Sequence, residues 1–496
     1  MNGLLIVALA VPALGAIAAV AIRHDLAGRI AGTVAAAVAF VAALLLPIGR
    51  ATRGDDAPAL LPWHEIDVAW VPSLDLRFHL GVDGISYPLV ALTALLTLLC
   101  CGYSLWRVPD PGRGRLLVAL LLVIEVGIVG VFLALDLILF FVFFELVLLP
   151  MYAVITGWGG PGRRRAGRMF VLYTLLGSVL LLVGLVTVVN AAGTADLVQL
   201  TGTRLGTGTQ YAAFVLLAIG FAVKSPLWPL HSWLPEAHTE APTVGSVILA
   251  GVLLKMGTYG LLRVAVGVAP DAAQGAAPVL GGFAAAAIIV GGLVCLAQTE
   301  VKRLIAYSSV GHMGFVLLGI ATLQPVGFQA ALVGNVAHGL ITGLLFFLAG
   351  AVKDRAHTGE LAQLGGLRET APGLSGLLGF AAVASLGLPG LAGFWGEAFA
   401  IVAALRTGGA YWNALAVVAA FGAALAAAYL LRLLRRTVHG PASPVVGALE
   451  GPRLAAAELL AWAPLVLLIV ALGLLPALVL GPGAAAVDAL HGVVGS

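Results

Sequence analysis

Residues 224–238 read Lys-Ser-Pro-Leu-Trp-Pro-Leu-His-Ser-Trp-Leu-Pro-Glu-Ala-His and directly follow an apolar run, residues 211–223. Lys224 therefore lies deep in a membrane segment, where a lysine costs roughly 2.5 to 3.5 kcal/mol. The prolines that follow break the helix, and broken backbone at membrane depth is tolerated only inside protein or beside water. The stretch predicts an interrupted membrane helix beside a hydrated path, with Lys224 as a functional charge.

Composition places the whole chain in a bilayer. Of its 496 residues, 61% are hydrophobic and only 10% are charged, and the mean hydropathy is +1.07. A soluble protein of this length could not bury so much apolar surface, and the net charge of +3 argues against a nucleic-acid partner. Three cysteines lie in apolar segments without metal-ligand spacing, so we expect no metal or redox cofactor in this chain. They are Cys100, Cys101 and Cys295.

Hydropathy over a window of about 19 residues predicts an all-α polytopic membrane protein with fourteen helices in one transmembrane domain, residues 1–496. The N-terminal segment lacks a basic leader and is interpreted as a retained helix. The last helix and a short tail make up residues 457–496. The predicted spans are residues 3–22, 29–48, 82–106, 116–134, 136–156, 168–190, 211–236, 242–267, 277–298, 303–321, 326–350, 374–405, 411–434 and 457–480.

The distribution of lysine and arginine predicts the orientation of these helices. One set of alternate loops and helix ends holds eighteen of these residues, and the other set holds six. Because the richer set normally faces the cytoplasm, both termini are predicted on the outer side of a bacterial plasma membrane. The six predicted outer residues are Arg50, Arg53, Arg77, Arg204, Arg263 and Arg406.

Two of the spans are interrupted and lie five spans apart. The seventh breaks at the prolines of residues 226–235 and the twelfth at residues 385–390, and each carries an ionisable residue beside its break, Lys224 or Glu397. Paired interrupted helices in two halves favour a repeat architecture, although glycine and proline are also common in ordinary membrane helices. An offset of five reverses orientation, which predicts inverted repeats. Spans 4 to 8 form residues 116–267, spans 9 to 13 form residues 277–434, and peripheral helices form residues 1–106.

Glu145 lies at the centre of the fifth span, in the sequence Phe-Phe-Val-Phe-Phe-Glu-Leu. An isolated carboxylate at that depth would be neutralised or paired with a cation, and Lys224 is the natural partner. A pair that opens and closes would make Lys224 release and bind a proton. The alternative is a static structural ion pair.

Four further ionisable residues extend the series. Lys255 could take up a proton from the Lys224 region, although a lysine that snorkels to the surface is the alternative. His312 and His338 lie mid-span on consecutive helices and can relay protons through either ring nitrogen, although a lone buried histidine is more often a core residue. With Glu397, these residues predict a polar axis through the bilayer.

Four other residues are possible accessories to this axis. Glu125 is mid-span in the fourth helix, and Asp136 lies at the outer end of the fifth, where it is either interfacial or part of a proton exit. His231 and His238 follow the break in the seventh span. They either contribute to proton entry or satisfy irregular backbone.

At these positions the sequence resembles the antiporter-like membrane subunits of respiratory complex I, the proton-translocating NADH:quinone oxidoreductase. The resemblance covers the third to the fourteenth span, whereas the first two spans and the loop at residues 49–81 carry little of it. Its strongest stretches are residues 82–86, 135–152, 224–255, 300–314 and 389–397.

The resemblance implies a 14-helix inverted-repeat fold with one proton channel, driven by quinone reduction elsewhere in the complex. It implies a Glu145–Lys224 pair, a connecting Lys255 and an exit-side Glu397, with His312 and His338 as relay histidines. A glutamate at the helix 12 position distinguishes one branch of these subunits from paralogues with lysine. NADH, FMN, iron–sulfur clusters and quinone are expected on other subunits, and the expected partners are neighbouring antiporter-like subunits and lipid.

Three other functions remain open on the sequence. A subunit of a multisubunit Na+/H+ antiporter shares these motifs, and Glu397 counts against it. A structural scaffold with static ion pairs does not account for six aligned ionisable groups. A quinone-binding redox subunit would need an electron carrier, which no cysteine or histidine cluster provides.

Overall fold

The computed structural model describes residues 3–49, 60–72, 76–449, 451 and 453–495. Long helices dominate these residues: α1 Gly3–Ala21, α2 Asp25–Leu45, α3 Tyr87–Trp106, α4 Gly114–Leu133, α5 Leu137–Trp158, α6 Arg163–Ala192, α7 Thr207–Lys224, α8 Trp233–Glu240, α9 Thr243–Val268, α10 Pro270–Ala297, α11 Val301–Ala321, α12 Pro325–Ala356, α13 Pro372–Ser385, α14 Gly393–Thr407, α15 Gly409–Thr437, α16 Ala456–Leu474 and α17 Ala477–Gly495. Short helical turns in the loops are Leu197–Leu200, Leu361–Gln363, Leu367–Thr370 and Pro444–Gly447. Two antiparallel strands, β1 His64–Val71 and β2 Leu76–Val82, form a hairpin.

Three helices form the core of the bundle. The most hydrophobic stretch of α9 is 100% buried, and the corresponding stretches of α12 and α11 are 94% and 89% buried. For α1, α2 and α16 the figure is 39%, so these helices line the periphery. Because α9, α11 and α12 are surrounded by protein, they can carry polar side chains without exposing them to lipid.

Both predicted interruptions are present. The seventh span consists of α7 and α8, separated by residues 225–232, and the twelfth consists of α13 and α14, separated by residues 386–392. Lys224 is the last residue of α7, before the break, whereas Glu397 lies in α14, after the break. Counted along the chain from the start of each break, Ser385 occupies the position of Lys224, and Glu236 occupies the position of Glu397. The sequence correctly places a charge beside each break, but the two charges do not occupy equivalent positions.

Each half of the fold contains one backbone bridge of the same kind. Asp136 caps α5, and its backbone forms an antiparallel bridge with the backbone of Asp196, which precedes a short helix after α6. Glu300 caps α11 and pairs with Glu360 after α12 in the same manner, at the other end of the bundle. Matching bridges at opposite ends are what inverted repeats produce. The residue boundaries of the repeats, 116–267 and 277–434, remain a prediction.

Alternate loops collect at two ends of the bundle. We call the end with the loops after α1, α3, α5, α8, α10, α12 and α15 the arginine-rich face, and the other end the opposite face. The hairpin lies on the opposite face, where His79 contacts Glu65 at 2.8 Å and Asp196 at 3.2 Å. Burial lowers the pKa of His79, but these two hydrogen bonds outweigh burial, so its pKa lies above the ordinary value of 6.5. The hairpin is therefore held to the bundle partly by charge.

Three details of the sequence prediction need correction or restriction. The third span begins at Tyr87 and not at residue 82, because residues 76–82 form β2. The predicted short tail is instead the apolar helix α17, which lies along the opposite face, where His491 contacts the carbonyl oxygen of Leu323 at 2.9 Å. The predicted outer residues Arg50 and Arg53 lie outside the described residues.

Candidate functional site

Lys224 is buried, with 2% of its surface exposed, at the point where α7 ends. Its Nζ lies 4.6 Å from the centre of the Phe144 ring. An aromatic face stabilises a desolvated cation but accepts no proton from it. The contact with Phe144 thus holds the Lys224 side chain in the bundle without fixing whether its amine is charged or neutral.

Glu145 does not take Lys224 as its hydrogen-bond partner in this conformation. Ser178 on α6 donates a hydrogen bond to its Oε1 instead. Lys224 contacts Phe144, the residue directly before Glu145, so the two charged groups lie near each other. The predicted pair is therefore open here, with the two groups in range of each other, and α5 is locally irregular next to Glu145, between Leu146 and Leu148.

Lys255 is completely buried in α9 between two π-helical segments, Leu249–Leu253 and Leu261–Ala265. Its Nζ lies 2.6 Å from His338 Nδ1 and donates to the carbonyl oxygen of Ala250. π-Segments inside helices are frequent at functional sites because they free backbone groups and rotate side chains. This geometry contradicts the alternative of a lysine that snorkels to the surface.

His338 begins a continuous polar chain towards the break in the twelfth span. Its ring lies 5.7 Å from the His312 ring, centre to centre. His312 Nε2 lies 3.1 Å from the carbonyl oxygen of Ser385 and 3.5 Å from Glu397 Oε1. Four of the six predicted residues, from Lys255 to Glu397, thus form one connected group.

A cavity of about 30 Å³ lies along this chain. His312, His338, Ser385 and Glu397 line it. Among the described residues, His312 Nδ1, His338 Nε2 and Ser385 Oγ are buried polar atoms without a protein partner, and all three belong to this lining. A polar cavity of this size has room for water, which would satisfy these atoms.

The structure does not join the two parts of the predicted axis by direct contact. Between them, α7 and α9 approach closely at Gly257. A Cβ atom there would lie 2.6 Å from the carbonyl oxygen of Phe221 and 2.8 Å from the backbone nitrogen of Ser225. Gly257 is therefore required for the approach that brings Lys224 and Lys255 onto neighbouring helices.

The accessory residues have different surroundings. Glu125 is 1% exposed in α4, and neither carboxylate oxygen has a partner among the described residues. Asp136 accepts from the backbone nitrogens of Ile138 and Leu139, which is the role of a helix cap, and burial raises its pKa. The His231 ring lies 6.0 Å from the Tyr307 ring.

Arg263 and Lys302 are among the buried charges that sequence reasoning missed. Arg263, assigned to the outer loops, is 1% exposed in α9 and forms an ion pair with Asp83 at 2.9 Å. Lys302, assigned to the inner loops, is 4% exposed at the start of α11. Each lies near a predicted span end. The sequence signals that could have identified them are two carboxylates, Asp83 for Arg263 and Glu300 for Lys302. In the described part of the chain, no group of three or more His, Cys, Asp or Glu is arranged to hold a metal ion.

Comparisons with known proteins show the family and the fold of the chain. A family model described as NADH:quinone oxidoreductase/Mrp antiporter, TM, matches residues 134–425. NADH-quinone oxidoreductase subunit M of Rhodobacter capsulatus is 41% identical over 468 residues, covering 91% of this chain and 88% of that protein. A chain of respiratory complex I from Thermus thermophilus with bound NADH has a TM-score of 0.89 at 29% identity, covering 99% of this chain and 100% of that chain. A chain of the Mrp complex from Dietzia sp. DQ12-45-1b has a TM-score of 0.87 at 23% identity, covering 99% of this chain and 98% of that chain, and shows a shared fold.

Proposed function

The chain belongs to the NADH:quinone oxidoreductase/Mrp antiporter transmembrane family and, within it, groups with NADH-quinone oxidoreductase subunit M, and we propose that it carries protons across the membrane within that oxidoreductase complex. It is a multi-pass membrane protein. The observation that carries the proposal is the chain of titratable side chains from Lys255 through His338 and His312 to Glu397, in the core of a membrane bundle.

Each member of this chain can bind and release a proton. Lys255 and His338 are close enough to share one, since Nζ and Nδ1 lie 2.6 Å apart. Water in the adjoining cavity would connect His338 to His312 and Glu397. In this account Glu145 and Lys224 act as a switch: closing the pair favours the charged lysine, and opening it, as here, favours the neutral amine because burial penalises the charge.

Pumping needs an energy source outside this chain. Moving one charge against the membrane potential costs about 2.3 kcal/mol per 100 mV. We propose that quinone reduction elsewhere in the complex supplies this energy, with NADH, FMN, iron–sulfur clusters and quinone held by other subunits. The direct partners of this chain are then other membrane subunits, above all the adjacent antiporter-like ones, together with the surrounding lipid.

The sidedness of the path follows from the positive-inside rule. We assign the arginine-rich face to the cytoplasm of a bacterium and the opposite face, with both termini, to the outside. Glu397 lies in α14, on the part of the twelfth span that leads to the opposite face. Protons would therefore enter on the arginine-rich face and leave beyond Glu397.

Replacing Glu145 or Lys224 by alanine in the assembled complex tests the proposal. In inside-out membrane vesicles, pumping through this subunit should be lost, so NADH-driven acidification of the lumen and the NADH oxidation coupled to it should both fall. Thr187→Ala on α6 is a control, because this exposed hydroxyl donates to its own helix. Full pumping by either axis variant in a correctly assembled complex would overturn the proposal. Na+/H+ exchange without NADH oxidation would favour an antiporter instead.

A further inference from the structure

A cavity of about 750 Å³ opens on the arginine-rich face, where the segments after α3, α5, α8 and α12 meet the start of α11. Its lining mixes acids and bases and can therefore collect protons from water. The titratable residues that matter here are Asp110, Glu240, Lys302, Lys353, Asp354 and His357.

Lys302 lies in the wall of this cavity, on its buried side. Only 4% of its surface is exposed, and its Nζ donates to the carbonyl oxygen of Ala241 at 3.0 Å. The charges that act on it are those of Lys353, Glu300, Asp354 and Glu240. An ammonium group has three donors, and in the described residues the structure gives this one a single partner. The amine is thus available to exchange protons with cavity water.

His238 lies on α8, three residues before Ala241, whose carbonyl oxygen accepts from Lys302. It is completely buried in α8, and its ring stacks on Phe346 with 4.4 Å between ring centres and an angle of 10° between planes. Neither ring nitrogen has a partner among the described residues. Buried polar atoms are normally hydrogen-bonded. Two ring nitrogens without a partner, on an imidazole that stacking holds in place, therefore indicate a functional role. Phe346 lies on α12, the helix whose His338 contacts Lys255, so His238 links the segment that contacts Lys302 to the helix that contacts Lys255.

Resting on the proposed function, we propose that protons enter from the arginine-rich face through Lys302 and His238 and join the axis at Lys255. A hydronium ion in the cavity gives its proton to the neutral Lys302 amine and becomes water. The resulting ammonium gives its proton to one ring nitrogen of His238, and the other nitrogen gives up a proton to Lys255. One O–H bond of the hydronium ion breaks as an N–H bond forms on Lys302, each later step exchanges one N–H bond for another, and rotation of the His238 ring restores its starting tautomer.

A second cavity on this face is less suited to the task. It measures about 470 Å³ and is lined by Tyr152 and Thr156 on α5 and by Arg163, Arg164 and Arg168 on α6. Three permanently charged guanidinium groups repel protonated water and cannot exchange protons themselves. We therefore assign proton entry to the cavity that Lys302 lines.

The test uses the whole complex in inside-out vesicles, with Lys302→Arg, Lys302→Ala and His238→Phe. Arginine keeps the charge and can still donate to Ala241, but it does not release a proton. Phenylalanine keeps the stack on Phe346. Each variant should assemble, and pumping through this subunit should fall by roughly 100-fold, the scale on which a positioned proton-transfer group contributes. Thr156→Ala, in the second cavity, should pump normally, because its hydroxyl donates to the carbonyl oxygen of Tyr152 in its own helix at 2.8 Å.

Chemical rescue separates proton transfer from a structural role. Methylamine should restore pumping to Lys302→Ala, because it fits the cavity and exchanges protons, whereas tetramethylammonium should not. Normal pumping by Lys302→Arg or His238→Phe, or equal rescue by both cations, would overturn this entry route. If Lys302→Arg pumps normally while Lys224→Ala does not, the route falls and the proposed function stands. If both pump normally, the proposed function itself falls.

Discussion

Replacing His338 by glutamine separates proton relay from packing at the centre of the axis. The imidazole links Lys255, 2.6 Å from its Nδ1, to the His312 ring, 5.7 Å away. A glutamine amide can accept a hydrogen bond from the lysine but does not titrate near neutral pH. Replacement by alanine removes both functions.

The two variants should differ in stability and agree in pumping. Loss of a positioned proton carrier slows transfer by roughly 10²- to 10⁴-fold, so both should lose pumping through this subunit. Only alanine leaves the completely buried Lys255 with fewer acceptors, at a cost of about 1 to 3 kcal/mol. The glutamine variant should therefore assemble and unfold much like the wild type, whereas the alanine variant should be less stable.

The assay is dye quenching in inside-out vesicles during NADH oxidation. NADH oxidation with an artificial electron acceptor, measured in parallel, reports whether the redox part of the complex is intact. Thr93→Ala on α3 is a buried control, because its hydroxyl donates to the carbonyl oxygen of Leu89 in its own helix at 2.7 Å. Wild-type pumping by His338→Gln would refute the relay, and equal destabilisation of both variants would refute the argument from the Lys255 acceptor.

Other predictions concern the framework around the axis. Arg263→Met removes the ion-pair partner of the buried Asp83 and should destabilise the complex by about 3 to 5 kcal/mol, measured by thermal unfolding of the purified complex; the double variant Arg263→Met with Asp83→Asn, which removes the charge but keeps the oxygen that accepts from the backbone nitrogens of Ile85 and Ser86, should recover part of that loss, and no recovery would refute the pairing argument. Gly257→Ala forces α7 away from α9 and should impair pumping, whereas Gly267→Ala, with its nearest neighbours at 3.8 Å, should not; equal effects in the same vesicle assay would contradict the account. Because the pKa of His79 is raised on folding, its stabilisation of the hairpin is full below about pH 6.5 and lost as pH rises through the raised value. Hydrogen exchange of the hairpin should therefore quicken with pH beyond its intrinsic increase, and His79→Phe should abolish that excess; an excess that persists in the variant would show that His79 is not responsible.

Much of the fold could be predicted from the sequence because bilayer physics is simple. Apolar runs predict spanning helices, and the membrane class, the fourteen spans and both interruptions are confirmed. The hairpin was missed because β1 and β2 lie in a polar loop, where pairing depends on contacts with distant residues such as Asp196. Helix α17 was missed because a hydropathy window cannot distinguish an apolar tail from a helix that packs along a face.

For the candidate site, the sequence predicts which ionisable residues are buried in the membrane core but not which contacts they make. Burial of Lys255 and the histidines follows from their positions mid-span, and the structure joins them to Glu397. The hydrogen bond from Ser178 to Glu145 depends on the rotation of α6 about its axis, which sequence spacing does not fix. Burial of Lys302 depends on the loops of four other helices, so its position near a span end made it look like an ordinary surface charge.

The ratio of protons pumped to electrons transferred tests the central claim most directly. It should be measured in sodium-free liposomes with complex that carries Lys255→Met, which keeps the length and apolar stem of the side chain but holds no proton. Because Lys255 is completely buried and touches His338, the account predicts a fully assembled complex whose ratio falls below that of the wild type. An unchanged ratio in assembled complex would contradict proton transfer through this axis.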